Sequence, residues 1–476
     1  MRLGLKTLAL TASLVLALTG CTSEPEVIKS SRFENQVGVQ LFMWSWEAIE
    51  AECAFLGEAG IDWVLTSPPQ EHISGAQWWT VYQPVSYQLE TRLGNRDQFA
   101  NMVSTCKENG VGIIADAVIN HMAGVESGTG YAGSKFTKYE YPGLYTRDDF
   151  HNCNLTPNDQ IENYKDVMQV QTCELLGLSD LNQKSEKVSA NIVAYLQDLL
   201  SLGVMGFRID AAKHIYQPEL QAIIDQLPEG TKIMQEVYAG GGEPIRPSQY
   251  LNSGDVFEFD YARNMKSYFK SEVITPAASA IRFKDFTPSN QSISFVSNHD
   301  TERNGQTLSY KNARDFELAT AMMLAEDFGQ PMLYSSYAFE SYDAGPNELV
   351  DGVVAADCSE ASTSPKDAYA NYEWICQHRW QSTLNMIKFR DQVEGAAVTE
   401  KYRERGVYGF AREGKGYFIT NVFERKEMAI EVQTTLPDGE YVDLIDGGTY
   451  TITGGALKTT LAPKSAIALL VTDGSN

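Results

Sequence analysis

Eight short apolar segments, separated by stretches with helical periodicity, constrain the fold of this chain more than any other feature. They occupy residues 37–44, 63–67, 112–119, 206–211, 232–237, 256–259, 292–297 and 331–335. Strands that alternate with helices favour a parallel α/β fold, and a run of eight such units favours a closed (β/α)₈ barrel. We therefore expect a TIM barrel.

Two other regions have a different texture. Residues 121–180, between the third and fourth predicted strands, are rich in Gly, Asn, Tyr and Asp, which predicts an inserted, loop-rich subdomain. Beyond residue 390, short alternating strands separated by turn signals predict a C-terminal antiparallel β-sandwich. The expected organisation is a barrel over 37–120 and 181–390, an insertion over 121–180 and a sandwich over 391–476.

The N-terminus predicts export. Residues 1–20 combine a short basic start with an apolar stretch that is too short to span a bilayer comfortably, as in a secretory signal. The sequence LTGC, ending at Cys21, resembles the lipobox of bacterial lipoproteins, which implies that Cys21 is lipidated and that residues 21–36 form a polar tether. We expect an exported lipoprotein at the outer membrane or cell surface, attached only through its lipid. The alternative is a secreted protein.

Charge and cysteine content exclude some partners and support export. The formal charge of −24, from 62 acidic and 38 basic residues, opposes binding to nucleic acid and to anionic membrane surfaces through the protein body. An even number of further cysteines in an exported chain suggests disulfides, although spacing alone leaves the pairing open. These cysteines are Cys53, Cys106, Cys153, Cys173, Cys358 and Cys376.

Three carboxylates end three different predicted strands. Asp210 and Glu236 lie at the ends of the fourth and fifth apolar segments, and Asp300 follows the seventh. Active sites of (β/α)₈ barrels lie at the carboxyl ends of the strands. Glycoside hydrolysis uses a carboxylate nucleophile and a carboxylic acid in one pocket. Any one of these residues alone could be a helix cap, and Asp116 at the third strand is expected to be structural. Their joint occurrence predicts a glycosidase site.

The segments that contain these residues resemble, in order, the four signature regions of the α-amylase family. They are DAVINH (116–121), GFRIDAAKH (206–214), QEV (235–237) and SNHD (297–300). Further segments resemble the animal-type, chloride-dependent branch, namely SPP (67–69), WWTVYQPVSY (78–87) and CQHRW (376–380). The resemblance is strong over residues 37–390 and weak in the C-terminal domain. It implies retaining endo-hydrolysis of α-1,4-glucosidic bonds in starch, glycogen and maltooligosaccharides.

The resemblance also implies roles for individual residues. Asp210 would be the nucleophile, Glu236 the general acid and base, and Asp300 the residue that stabilises the distorted sugar. Arg208 would keep Asp210 ionised through its positive charge. The implied substrate-binding residues are Trp78, Trp79, Tyr82, Gln83, His121, Arg208, Lys213, His214, Glu243 and His299.

Ion sites and disulfides follow from the same resemblance. A structural calcium site would use Asn120 and Asp180 with the backbone carbonyls of Gln171 and His214, oxygen ligands that suit a hard cation. A chloride site would use Arg208, Asn298 and a third basic residue. That third position is Ala338, which cannot bind an anion, so we expect a weak or absent site and chloride-independent activity. The implied disulfides are Cys53–Cys106, Cys153–Cys173 and Cys358–Cys376.

Two alternatives to endo-hydrolysis stay open. One is a glucanotransferase or a maltogenic exo-amylase of the same family, because the carboxylate trio is common to all of them. The other is a non-catalytic glycan-binding lipoprotein, against which the presence of all three carboxylates argues. We expect a monomer that acts on α-glucan polysaccharide and binds no nucleic acid.

Overall fold

The structure, a computed structural model, describes residues 36–271, 286–346, 356, 358 and 374–471, and its central feature is a closed barrel. The eight barrel strands are β1 (Gly38–Leu41), β2 (Trp63–Leu65), β3 (Gly112–Ala117), β4 (Gly206–Ile209), β5 (Lys232–Gln235), β6 (Asp255–Phe257), β7 (Ser292–Phe295) and β8 (Gln330–Ser335). Each strand pairs in parallel with its neighbours in sequence, and β8 closes on β1. The predicted fold class is confirmed.

The interior of the barrel is packed with apolar side chains from most of its strands, which form a buried cluster with Trp63, Ile114, Met234 and Met332 among its members. The close fit requires a glycine at one position. A Cβ at Gly38 would lie 2.1 Å from the ring of Trp63 on the adjacent strand, so only glycine allows β1 and β2 to pack here.

The helices cover the outside of the barrel and connect its strands. They are α1 (Trp46–Glu58), α2 (Arg96–Glu108), α3 (Val167–Thr172), α4 (Glu186–Ser201), α5 (Gln217–Ile224), α6 (Phe259–Lys270), α7 (Thr301–Asn304), α8 (Arg314–Ala325) and α9 (Gln381–Gln392). Short 3₁₀ turns lie at Trp78–Tyr82, Arg147–Asp149, Leu175–Gly177, Ala212–His214, Pro247–Gln249, Ser289–Gln291, Tyr310–Asn312 and Gln377–Arg379. Sequence signals fix several boundaries: Asn95 and Gln98 form a capping box that begins α2.

The chain enters the barrel at the rim formed by the amino ends of the strands. The backbone N–H of Gln36 donates to the side chain of Gln330 at the start of β8 (2.9 Å), and that of Val37 donates to Asp62 just before β2 (2.8 Å). The carboxyl ends of all eight strands lie at the opposite rim, because every pairing is parallel.

The region predicted as an insertion leaves this carboxyl rim and returns to it. His121–Met122 pairs antiparallel with Ser179–Asp180 and thereby closes its base. A hairpin of Ser127–Thr129 with Lys135–Thr137 and the helix α3 lie between these two strands. Another short hairpin, Glu90–Thr91 with Gly94–Asn95, precedes α2. The exact domain boundaries stay predictions.

The C-terminal region consists of two four-stranded antiparallel sheets, as the alternating pattern predicts. Its strands are β9 (Val398–Glu404), β10 (Val407–Arg412), β11 (Gly416–Asn421), β12 (Met428–Gln433), β13 (Gly439–Val442), β14 (Thr449–Thr453), β15 (Ala456–Leu461) and β16 (Ser465–Leu470). One sheet has the order β9-β10-β11-β16 and the other β12-β15-β14-β13. An apolar cluster that includes Tyr417, Ile430, Leu457 and Leu469 fills the space between them.

All three disulfides implied by the resemblance are present. Cys53–Cys106 joins α1 to α2, Cys153–Cys173 lies within the insertion, and Cys358–Cys376 lies near the start of α9. Of the helices in the described ranges, none is long and apolar enough to cross a bilayer. The predicted signal sequence, Cys21 and the tether up to residue 35 lie outside the described residues.

Candidate active site

The three candidate carboxylates meet at the carboxyl rim around one buried arginine. Arg208 lies on β4, and its Nη1 contacts Asp210 Oδ1 at 2.6 Å, while its Nη2 contacts Glu236 Oε2 at 2.9 Å. Asp210 and Glu236 each stand one residue past the last strand residue of β4 and β5, so the strands are shorter than predicted and the reactive groups begin the loops. Asp300 borders the same space from the segment after β7. The predicted convergence of the three groups is therefore observed.

Asp116 lies beneath this group and has the structural role that was predicted for it. Its Oδ1 accepts from Arg208 Nη1 at 2.7 Å and its Oδ2 accepts from the Tyr82 hydroxyl at 2.8 Å. The side chain is fully buried. Asp116 and Arg208 thus form a platform below Asp210. Arg208 was predicted to bind substrate, but it is not among the residues that line the cavities and contacts the three carboxylates instead.

Burial dominates the electrostatics of the three carboxyl groups. It raises the pKa of Glu236, the negative charge of Asp210 raises it further, and the guanidinium of Arg208 opposes both. Burial and the charge of Glu236 likewise raise the pKa of Asp300. Burial also raises the pKa of Asp210, which Arg208 counteracts by charge and by a direct hydrogen bond. Several carboxyl groups near one cation compete for its charge, which favours a shared proton among them.

One backbone feature of the site has no sequence signal. Ala211, next to Asp210, has a left-handed conformation with φ 48° and ψ 30°, which is unusual for a residue other than glycine. Its N–H donates to Glu236 Oε2 at 2.9 Å. The strained turn therefore connects the two carboxylates through the backbone, as expected where function sustains strain.

A cavity of about 440 Å³ lies on one side of the carboxylates and contains most of the predicted substrate-binding residues. Its aromatic wall is tightly held. Tyr82 stacks on His299 with ring centroids 5.1 Å apart, Trp78 Nε1 donates to the Tyr342 carbonyl (2.8 Å), and Trp79 Nε1 donates to Asp343 Oδ1 (3.0 Å). The predicted residues in its lining are Trp78, Trp79, Tyr82, Gln83, His121, Asp210, Glu236, His299 and Asp300.

The two histidines of this cavity are neutral. Burial lowers the pKa of His121 to about 4, and burial together with the charge of Arg208 lowers the pKa of His299 well below its usual range. His121 Nε2 contacts the Tyr82 carbonyl at 3.0 Å and His299 Nδ1 contacts Gln40 Nε2 at 3.0 Å. Neutral rings offer hydrogen bonds without repelling Arg208.

A second cavity, of about 460 Å³, lies on the other side of Glu236 and Asp300 and contains the remaining predicted residues, Lys213, His214 and Glu243. Lys213 Nζ pairs with Glu243 Oε2 at 2.5 Å. Other residues of this lining were not predicted, among them Tyr164, Leu175, Leu176, Tyr238, Phe259, Gln306 and Tyr342. They lie in loops or at helix ends, and their spacing carries no signal. Leu176, with a left-handed backbone and 85% of its surface exposed, is the clearest example.

The candidate calcium ligands lie where barrel and insertion meet. Asn120 Nδ2 donates to Asp180 Oδ1 at 3.3 Å, and Asn120 Oδ1 is buried without a hydrogen-bond partner. Asp180 Oδ2 contacts His151 Nδ1 at 2.7 Å. His214 Nδ1 lies 2.9 Å from the carbonyl of Val170, the neighbour of Gln171. No group of three or more His, Cys, Asp or Glu suited to a metal occurs in the ranges described; the expected set contains only one carboxylate.

The candidate chloride ligands are engaged with protein groups. Arg208 binds three carboxylates, and Asn298 Oδ1 accepts from the backbone N–H and hydroxyl of Thr301 at 2.9 and 2.8 Å. Ala338 has no side-chain donor. The weak or absent anion site stays a prediction.

Comparison with known proteins identifies the family. The chain matches the family "Alpha amylase, catalytic domain" over residues 65–239 and "Bacterial Alpha amylase C-terminal domain" over residues 400–464. It is 41% identical to an α-amylase of Streptomyces violaceus across 468 residues, which are 98% of this chain and 78% of that protein. The chain belongs to the α-amylase family.

Solved structures extend this result to the animal-type members of the family. The crystal structure of α-amylase I from Eisenia fetida superposes with a TM-score of 0.85 at 31% identity, covering 92% of this chain and 98% of that one. A mutant of the same amylase in complex with maltohexaose gives a TM-score of 0.82 at 31% identity, covering 92% and 97%. The predicted resemblance, the enzyme class and endo-hydrolysis of α-1,4-glucosidic bonds are confirmed by these relatives.

Proposed function

We propose that Asp210, Glu236 and Asp300 hydrolyse internal α-1,4-glucosidic bonds of starch-like glucans by a retaining double displacement. The observation that carries these roles is the double contact of Arg208 with Asp210 and Glu236 at the point where the two cavities meet. A glucan that fills both cavities would have its scissile bond beside these carboxyl groups. The maltohexaose complex of the earthworm amylase supports an oligosaccharide in this cleft.

The oxygen atoms that Arg208 occupies suggest which ones react. Asp210 Oδ1 is held by Arg208 Nη1, which leaves Oδ2 to attack the anomeric carbon while the bond to the glycosidic oxygen breaks. Glu236 Oε2 is held by Arg208 Nη2 and the Ala211 N–H, which leaves Oε1 to give its proton to the departing oxygen. Proton transfer by a positioned carboxyl of raised pKa is general acid catalysis.

The second displacement reverses these roles. The Glu236 carboxylate removes a proton from water, the water oxygen attacks the anomeric carbon, and the ester bond to Asp210 breaks to restore both groups. Two inversions retain the α configuration. Asp300 and the neutral His299, whose Nε2 lies 3.3 Å from Asp300 Oδ2, would bind hydroxyl groups of the distorted sugar.

The residues at the junction of barrel and insertion fit a calcium ion. Asn120 Oδ1 is a buried oxygen without a partner, and the Asp180 carboxylate lies beside it; both are ligands that calcium prefers. Asn120, Asp180 and the carbonyls of Gln171 and His214 would hold the ion. Bound there, calcium supplies charge compensation and a fixed point for the insertion, and it takes no part in bond cleavage.

The cellular setting is also a proposal. The LTGC sequence ending at Cys21 supports a lipoprotein anchored at the outer membrane or cell surface. We propose that it acts there on α-glucan as a monomer. Lipid labelling of the full-length chain and of C21S tests the anchor: label on the wild type alone is expected, and equal label on both would refute lipidation at Cys21.

The product profile on soluble starch, with and without a chelator, tests the proposed activity. We expect early release of mixed maltooligosaccharides in the α configuration, which proton NMR can monitor. Activity should be weaker after chelation. Maltose alone from the start would indicate exo action, and longer products from maltotriose would indicate transfer. D210N and E236Q should lose cleavage but still bind maltohexaose. Cleavage by E236Q at the wild-type rate would overturn the assignment.

A further inference from the structure

The two cavities of the cleft have distinct tasks under the proposed mechanism, and this inference rests on that mechanism. The cavity lined by Asp210 receives the sugar whose anomeric carbon is attacked. The other cavity is lined by Glu236 but not by Asp210, so it receives the leaving part of the glucan, which takes the proton from Glu236. Residues that line only this acceptor cavity can select the leaving segment.

Tyr238 forms part of the acceptor wall, two residues after Glu236. Its ring packs edge-on against Phe259, with centroids 5.2 Å apart and planes at 88°. The cation of Arg263 lies 5.0 Å from the ring centroid and that of Lys213 lies 5.9 Å from it. The ring is thus fixed on several sides, which aims its hydroxyl in one direction.

That hydroxyl connects two loops of the site. It donates to Gln306 Oε1 at 2.8 Å, and Gln306 belongs to the loop that follows Asp300 and α7. The loop is also held from below, because Lys266 on α6 donates to the Gly305 carbonyl and Gln306 N–H donates to Asn304 Oδ1 at 2.9 Å. One side-chain hydrogen bond therefore joins the segment after Glu236 to the segment after Asp300.

We propose that Tyr238 and Gln306 are a specificity-determining pair, whose hydrogen bond shapes the acceptor cavity and positions the leaving segment of the glucan. The pair touches neither the nucleophile nor the attacked sugar. It faces glucose units beyond the scissile bond, and the amide nitrogen of Gln306 provides N–H donors suited to their hydroxyl groups. Loss of the bond frees the loop and weakens the acceptor units selectively.

The test compares substrates that do and do not fill the acceptor cavity. Y238F removes only the hydroxyl that donates, Q306L removes the amide oxygen that accepts, and the double variant combines both. Y216F is the control, because Tyr216 is half-exposed and lies outside the lining of both cavities. Each variant is assayed on maltohexaose, with product analysis, and on an aryl α-maltotrioside whose small leaving group makes few acceptor contacts.

We expect kcat/KM on maltohexaose to fall about threefold to tenfold in Y238F and in Q306L, as for loss of one hydrogen bond. The cleavage positions should shift. The double variant should resemble Q306L, because the Tyr238 hydroxyl has already lost its acceptor in that variant. For Y238F and Q306L, kcat/KM on the aryl substrate should stay within about twofold of the wild-type value. For Y216F, it should stay within about twofold on both substrates.

Three outcomes refute the inference: unchanged cleavage positions in Y238F and Q306L, an equal loss on both substrates, or additive losses in the double variant. If Y238F fails to fold, Q306L tests the same bond from the loop. A wild type that cleaves neither substrate would instead refute the proposed function.

Discussion

Glu326 is a buried carboxyl group where the barrel and the C-terminal sheets meet, and it predicts a pH-dependent change in the stability of the folded chain. It follows the last residue of α8, and its side chain is fully buried. Burial raises its pKa from an ordinary value of 4.5 to about 7. The titratable and charged groups around it come from α6, β9, β10, α9 and its own neighbour: Tyr261, Tyr268, Lys401, Tyr408, Arg412, Arg390 and Asp327.

The sign of the pH effect follows from this shift. A carboxyl group whose pKa is higher in the folded chain binds its proton more tightly there, so raising the pH above 4.5 destabilises the folded state until about pH 7. Each tenfold change in proton affinity corresponds to about 1.4 kcal/mol. The penalty reaches about 3 kcal/mol above pH 7, of which about 2.5 kcal/mol develops between pH 5 and pH 8.

Glu326→Gln removes the ionisation and keeps the size of the side chain. We expect E326Q to match the wild type within about 1 kcal/mol at pH 5 and to be more stable by about 2–3 kcal/mol at pH 8. Thermal unfolding of both proteins from pH 5 to 8, at one scan rate, measures this as a difference in Tm that grows with pH. A Tm difference that is constant across this range, or a less stable E326Q at pH 8, would contradict the reasoning.

A paired glutamate on α8, the helix that Glu326 follows, provides the control. Glu317 Oε2 contacts Arg314 Nη1 at 2.7 Å and its Oε1 accepts from the Ser382 hydroxyl at 2.6 Å. E317Q loses an ion pair, so it should lower stability by about 1–3 kcal/mol. At pH 8, E326Q should raise the free energy of unfolding and E317Q should lower it. Changes of opposite sign would show that the effect depends on whether the glutamate has an ion-pair partner, and not on removing a buried carboxylate in general.

Three further predictions concern the site. E236Q should lower kcat on maltohexaose by about 10²–10⁴-fold, with a smaller loss for bond cleavage in an aryl glycoside of low leaving-group pKa; equal losses would refute its role as the acid. Chelation should lower the Tm of the wild type and speed proteolysis of the insertion, and D180N, which weakens the proposed calcium site, should respond less; an identical response would refute the assigned ligands. Chloride added at constant ionic strength should leave the rate nearly unchanged because Ala338 supplies no anion ligand, so several-fold activation would refute this expectation.

Much of the barrel could be predicted because its strands are buried on both faces and read as short, mostly apolar runs. The predicted strands are longer than the observed ones. Residues 206–211 were expected as one strand, whereas β4 ends at Ile209. No turn residue marks the end of the strand, and only the pairing geometry shows where the loop begins. Asp210 and Glu236 lie in the residues between the observed and the predicted ends of β4 and β5.

The walls of the cleft could not be predicted, because they depend on contacts between distant parts of the chain. Trp79 is oriented by Asp343, 264 residues later, and Tyr238 meets Gln306 across two different loops. Leu176 is exposed and would be read as an ordinary loop residue. The sequence alone therefore located the chemistry but not the shape of the space around it.

The chain enters the barrel on the side opposite the cleft, which places the attachment point of any N-terminal tether far from the substrate. Gln36 is fixed at the amino rim, on the side of the barrel opposite the carboxylates. A tether from Cys21 to Gln36 spans at most about 50 Å when fully extended. If Cys21 carries the lipid, the attachment point of the tether lies on the opposite side of the barrel from the cleft. Long glucan chains could then enter the cleft from the surrounding medium without meeting that attachment point.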